Sequence, residues 1–468
     1  MRFKAIFSDF LILSLLLGSF ACTKLVKIPE PLSTVTTTET FATTAKANSA
    51  LAGIYNNMMT TGCPGAQLSA DAGMSADELN YFGSPNLFQE NLLSSTSSVS
   101  DIFWTTGYYN VYQANAAIEG LQASTTLTAT TKAELTGEAK FLRAFCNFYL
   151  VNLYGDVPLL LSTSYSENSL MSRTPKADVY LQIIEDLKQA QAALRNDYSA
   201  GNGERIRANS WAATALLARV YLYTGKWDSA EAQSTAIIND AGDFMLVTDL
   251  DSISIVNNTE AILQLQQSYN SSTGTSATTD GYTFNPYDEN TPPAYYLTDQ
   301  LLLAFEPNDL RRIAWVDSVN FDDGTGVRPY YYPYKYKIRT TTADDITEYT
   351  VILRLAEQYL IRAEARAHQN NGLQGAIDDL NVIRSRAGLP ALNSTLTQSQ
   401  VLAAVTQERR IEFFGEFGHR WLDLHRTSQA DAVLKPIKPN WVPTAILYPI
   451  PFSEIQTDPN LTQNPGYN

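Results

Sequence analysis

Apolar residues in the middle of this chain recur at helical spacing. Leu135, Ala139, Leu142, Cys146, Tyr149 and Leu153 advance by alternating fours and threes, which predicts an amphipathic helix with one core face. Gly155 stops it and Pro158 seals it. The same period returns over 179–194 and 210–224, and Gly225 separates the latter from a further helix that begins around Trp227. Between 244 and 347 the period fades. Ser, Thr, Asn and Gly cluster there, and Tyr282, Tyr287, Tyr295, Tyr296, Tyr330, Tyr331, Tyr332, Tyr334 and Tyr336 concentrate, predicting loop with short strands. After Pro436 the prolines at 443, 449, 451, 459 and 465 exclude helix and predict an extended strap over 436–468.

Ala218, Gly225, Trp227 and Ala230 stand at the spacings of a tetratricopeptide-like helix pair, with small residues where helices cross closely. Ala365 to Gly372 repeats the seven-residue step of Ala218 to Gly225, and Ala376, Leu380, Ile383 and Ala387 stack on the following helix. The expected fold is therefore mainly α. A helical-pair scaffold over 105–240 and 350–430 is interrupted by the irregular 244–347 insertion, so a continuous solenoid is not expected.

At the N-terminus, Arg2 and Lys4 precede a short apolar run over 11–20 that ends in Ala21 before Cys22. Residues 1–21 read as a signal peptide, too short to cross a bilayer. A cysteine at that point is what lipoprotein processing acylates, with simple secretion as the alternative. The Thr-rich tract to residue 44 then serves as a spacer, and one folded domain occupies 45–468. Cys63 and Cys146 could pair, but their separation and the helical setting of Cys146 favour a buried thiol. The formal charge of −15, with 33 basic and 48 acidic residues, supplies no basic stripe and argues against nucleic acid as a partner.

The densest chemistry lies in the run ERRIEFFGEFGHRWLDLHR, 408–426. Glu408, Glu412 and Glu416 are spaced to share one helix face, with Arg409, Arg410 and Arg420 within pairing reach. A catalytic carboxylate site is one reading; a buried ion-pair network is the favoured one. Glu416 and His419 form a single E-x-x-H, whereas a di-metal bundle needs two of them, so no metal site or cofactor is expected. No phosphate loop or nucleophile elbow is present. Sugar recognition needs aromatic faces with amides and carboxylates beside them, and the tyrosine-rich loops from Asn270 to Tyr296 have that composition. Packing of the insertion onto the helices is the competing role for those rings.

The same run resembles the signature of the SusD/RagB family of surface glycan-binding lipoproteins. Further ordered blocks carry the resemblance, among them AKFLRAFCNFYLVNLYGDVPLL, ANSWAATALLARVYLYTGKWDSA, FEPNDLRR, LRLAEQYLIRAEA, LNVIRSRAGL and LYPIPFSEI with QNPGY. What it implies is four tetratricopeptide-like pairs carrying a ligand-binding region. It also implies a non-catalytic protein, lipid-anchored through Cys22 on the outer membrane, that delivers oligosaccharide to a SusC-like TonB-dependent transporter. The loop at 92–100 reads LLSSTSSVS, without the aromatic that starch-binding members place there. Tyr81, Phe82, Tyr282, Tyr287, Tyr295 and Tyr296 are the candidate ligand contacts. A surface hydrolase and a purely protein-binding scaffold are the rival functions.

Overall fold

The computed structural model describes residues 37–62, 64–84 and 86–467. The signal segment, Cys22 and Cys63 lie outside the described residues. Cys146 is a buried free thiol, and burial pushes its pKa up to about 12.

Helices dominate. In chain order the longer ones are α1 (Thr44–Thr61), α2 (Ala66–Ser75), α3 (Asp101–Ala123), α4 (Ala129–Tyr154), α5 (Lys176–Ala193), α6 (Ser210–Tyr223), α7 (Trp227–Ile238), α8 (Leu355–Ala367), α9 (Leu373–Arg386), α10 (Gln398–Phe413) and α11 (His419–Arg426). Thr43, Thr128, Asn209 and Thr397 cap α1, α4, α6 and α10 through their side chains, satisfying N–H groups that a helix start leaves free. The stack is built of helix pairs: α1 on α3, α4 on α5, α6 on α7, α8 on α9.

The expectation of an interrupted scaffold needs correction, because α7 packs directly on α8. The insertion leaves the stack after α7 and returns at α8, so the four pairs are continuous in space although not in sequence. Trp227 stacks on His368 at 4.0 Å across this joint.

The body also begins earlier than residue 45. Phe41 is 5% exposed and lies so close to Gly120 that a Cβ there would stand 2.2 Å from its ring. The Pro-rich strap departs from expectation too: Phe452–Thr457 is helical, starting directly after Pro451. Proline removes an N–H that a helix start leaves unbonded in any case.

Among the described residues, six short strands form three antiparallel pairs: β1 (Leu79–Tyr81) with β3 (Tyr295–Leu297), β2 (Ala261–Leu265) with β6 (Thr350–Arg354), and β4 (Val316–Asp322) with β5 (Val327–Pro333). Both β2 and β6 are buried throughout. They form the base on which the insertion stands.

The charged run lies at that base. Gly415, at φ +66°, turns the chain after α10, so Glu416 sits on a turn and does not continue the helix face of Glu408 and Glu412. The arginines of the run do not pair with its glutamates. Arg409 binds Asp423 (2.7 Å), while Arg410 and Arg420 both bind Asp77 (2.7 Å each). The glutamates instead take cations from elsewhere: Glu408 takes Arg384 (2.6 Å) and Arg311 (2.9 Å), and Glu412 takes Arg311 (3.1 Å), Arg354 (2.5 Å) and Arg386. Glu416 accepts from Arg354 (3.0 Å) and Lys335, and Glu260 ties Arg354 (3.0 Å) to Arg386 (2.6 Å). Successive helix residues point about 100° apart, which sends Arg409 and Arg410 away from the face of Glu408 and Glu412.

Burial alone would raise the pKa of Glu412; the guanidiniums of Arg386, Arg354 and Arg311 reverse this and hold it well below the usual carboxylate range. Such a group is costly to orphan. Glu412→Ala leaves three buried guanidiniums short of a partner, and a loss of about 3–5 kcal/mol is expected in chemical denaturation.

Asp280 behaves oppositely. Burial raises its pKa to about 7, against the opposing hydrogen bonds from the Thr350 hydroxyl and its own backbone N–H. A carboxyl raised on folding favours the folded state below its unfolded pKa, and that contribution is lost as pH rises through about 7. Asp280→Asn should therefore flatten the fall in melting temperature between about pH 5 and about pH 8, as scanning calorimetry would register. An unchanged pH profile would remove Asp280 as its source.

Candidate ligand-binding surface

The six aromatics singled out from the sequence fall into three adjoining groups. Pairing of β1 with β3 sets Tyr81 opposite Tyr295 and Asn80 opposite Tyr296. Opposed residues share a face of the ladder, so the Tyr81 and Tyr295 rings meet at 5.6 Å, with Phe284 against Tyr295 at 6.1 Å. Neighbouring residues point the other way. Phe82 and Tyr296 therefore close on Tyr330, each at 5.1 Å, and Phe82 also meets Phe321 at 5.6 Å.

Tyr330 is fixed in turn. Its hydroxyl donates to Asp323 (2.6 Å) and accepts from Arg328 (2.9 Å), whose guanidinium lies 4.8 Å from the ring. Asp323 also accepts from Thr325, and hydrogen bonds from Thr325 and Tyr330 hold its pKa well below the usual carboxylate range.

The third group is built around Arg339. Its guanidinium stands 4.5 Å from the Tyr282 ring and 6.0 Å from the Tyr287 ring, and it donates to the carbonyls of Tyr282 and Asn285 (2.6 Å for the latter). Tyr287 is 76% exposed. Tyr81, Phe82, Tyr282, Tyr295 and Tyr296 are half-buried. Burial raises the pKa of both Tyr295 and Tyr296. The rings of Phe82 and Tyr296 are largely committed to Tyr330, while Tyr287 and the open side of Tyr282 face outward beside a cation.

The loop at 92–100 is anchored to the C-terminal segment, with the Phe452 N–H donating to the Ser95 carbonyl (2.8 Å). The Glu416 and His419 pair is absorbed by the scaffold. Glu416 belongs to the ion-pair lattice, and His419 packs on Phe413 at 4.7 Å. Burial, followed by the charges of Arg219 and Arg409, holds His419 well below its ordinary pKa, hence neutral. Among the described residues, no cluster of three or more His, Cys, Asp or Glu is placed to hold a metal ion.

A second set of exposed rings lies outside the six aromatics expected from the sequence. Tyr109 and Tyr112 project from α3, and Tyr165 stands 84% exposed on a short helix, Tyr165–Asn168. The α3 pair could have been found, since both tyrosines lie off the core face marked by Phe103, Val111, Ala114 and Ile118. Tyr165 carries no periodic signal.

Comparison with known proteins agrees with this architecture. The SusD family model matches residues 276–467, and a model described as starch-binding associating with outer membrane matches 32–222. The chain is 26% identical to SusD-like protein P2 of Formosa agariphila, over 91% of this chain and 93% of that protein. It is 25% identical to the starch-binding protein SusD of Bacteroides thetaiotaomicron, over 70% and 72% respectively. A SusD superfamily crystal structure from Bacteroides vulgatus superposes with a TM-score of 0.79 at 21% identity, covering 91% of this chain and all of that one. With its two family models covering the N-terminal and C-terminal parts and its helical pairs continuous in space, the chain belongs to the SusD/RagB family.

Proposed function

We propose that this protein is a non-catalytic, lipid-anchored component of the outer cell surface. In this reading it binds an oligosaccharide and passes it to a TonB-dependent transporter in the outer membrane. The observation that carries the proposal is the gathering of aromatic rings from three separate stretches, 81–82, 282–296 and 321–330, onto one insertion held to a rigid helical stack. Aromatic faces cover the C–H faces of sugar rings, and Arg339 beside Tyr282 and Tyr287 supplies donors for hydroxyl or ring oxygens. The starch-binding relative and the outer-membrane description of the second family model support the ligand class and the location.

No described helix is long and apolar enough to cross a membrane. The apolar run over 11–20 directly before Cys22 supports attachment through lipid on that cysteine. The buried carboxylates of 408–426 are committed to guanidiniums and serve architecture, leaving ligand recognition to the insertion.

Calorimetric titration with maltohexaose and laminarihexaose tests the binding site. Tyr287→Ala and Tyr282→Ala should each weaken binding by about 1 kcal/mol without changing the melting temperature. Unchanged affinity in both, with binding intact in the parent, would move the site off this insertion. Membrane fractionation tests the anchor and the partner together. Cys22→Ala should leave the membrane fraction after a carbonate wash, and mild detergent should extract the parent protein together with a β-barrel transporter. Retention of the variant in washed membranes would contradict the lipid anchor, and extraction of the parent alone would contradict the transporter partnership.

A further inference from the structure

A cleft of about 330 Å³ lies away from the insertion, between the first turns of α3, the segment after Pro158 and the helical part of the C-terminal strap. Trp104 and Tyr108 form one wall, their rings 4.8 Å apart. Tyr165 stands at the mouth with most of its ring open to solvent. Glu454, Asp458 and Asn168 supply the polar lining.

The walls are tied together by hydrogen bonds. The Tyr108 hydroxyl donates to the Pro158 carbonyl (2.8 Å), and the Asn460 amide donates to the Leu170 carbonyl (2.8 Å), joining strap to loop. Arg173 donates to Tyr154, Asp156 and Thr462 carbonyls and to the Asn464 side chain. The cleft is thus a preformed feature of the scaffold.

Its carboxyls and the Asn168 side-chain oxygen offer acceptors, and the hydroxyls of Thr105, Tyr165 and Ser169 can donate or accept. The Asn168 amide donates one N–H to the Ser162 carbonyl (2.8 Å). The Glu454 carboxyl is held at the wall by the Trp104 indole, and burial raises its pKa. One Asp458 oxygen accepts from the Asn460 N–H (2.9 Å). Among the described residues, none of those lining the cleft is basic. Arg173, the nearest cation acting on Tyr108, has its guanidinium committed as above. Exposed aromatic surface beside hydrogen-bond acceptors suits a ligand with C–H faces and many hydroxyl donors. Clustered carboxyls without a cation repel an anionic one.

We propose that this cleft is a second saccharide site, separate from the insertion and selective for uncharged sugars. A polymer that engages both sites gains avidity that neither site provides alone.

The test uses full-length protein carrying Tyr287→Ala, so that the insertion contributes less, titrated with maltohexaose, laminarihexaose and hexagalacturonate. The expected result is residual binding of at least one neutral hexasaccharide, weakened about fivefold by adding Tyr165→Ala and likewise by Glu454→Gln. Hexagalacturonate should bind the Tyr287→Ala protein at least about tenfold more weakly than the better neutral probe, and adding Glu454→Gln should narrow that gap. Tyr165 is exposed, so its replacement is not expected to perturb folding, and circular dichroism checks this.

Residual binding that ignores both cleft substitutions overturns the proposal. So does equal affinity for the uronate, or no binding of either neutral probe at millimolar concentration. If Tyr165→Ala instead reduces co-extraction with the transporter while sugar affinity stands, the cleft is a protein contact and the proposal fails. The insertion is judged separately: a silent Tyr287→Ala with a sensitive Tyr165→Ala would discard the insertion site and keep the cleft.

Discussion

Glu412 is the hub of a buried ion-pair lattice that joins the insertion to the helical stack. It is fully buried, and it collects Arg311 from the insertion, Arg354 from β6 and Arg386 from α9. Glu408 and Glu416 extend the same lattice to Arg384 and Lys335. Hydrophobic contact would hold the insertion against the stack in many orientations, because it is non-directional. Paired guanidiniums and carboxylates in a dry setting hold it in one, since a shift that orphans any member leaves a buried charge. Lys335 adds a further constraint, seated 4.6 Å from the Trp315 ring and 4.4 Å from that of Phe414, with burial lowering its pKa to about 8.

This lattice bears on function through position. The loops that carry Tyr282, Tyr287 and Arg339 lie between β2 and β6 in sequence, and those two strands form a buried pair. Arg354 at the end of β6 and Glu260 just before β2 are joined by an ion pair of 3.0 Å. Both ends of the insertion are thereby fastened at one place. Within it, the β1–β3 ladder and the Tyr330 cluster set the aromatic rings relative to one another before any ligand arrives. Preorganisation of this kind reduces what binding must immobilise.

Much of the fold was legible in the sequence, for a physical reason. A helix that buries one face must repeat apolar residues at 3.6-residue spacing, so α4, α5, α6, α7 and α9 could be placed within a few residues. Contacts between distant segments leave no such trace. Nothing in the period of α7 says that it packs on α8 across more than a hundred residues, and nothing in the spacing of Arg409 and Arg410 says that they turn to Asp423 and Asp77. The helix after Pro451 was missed because proline is an obstacle inside a helix and no obstacle at its start. Composition marked the insertion as aromatic, and only the ladder register sorted Tyr81 and Tyr295 from Phe82 and Tyr296. The exposed Tyr165 had no periodicity to reveal it.

In the function we propose, the buried carboxylates serve architecture and the aromatic loops meet the ligand. A crystal structure of the full chain grown with an excess of a bound oligosaccharide addresses both halves at once. The prediction is an unbroken sugar chain lying against Tyr282, Tyr287 and Arg339, with the lattice around Glu412 unchanged from the free protein. A cleaved sugar chain, or one held by Glu408, Glu412 or Glu416 in place of their guanidiniums, would contradict it.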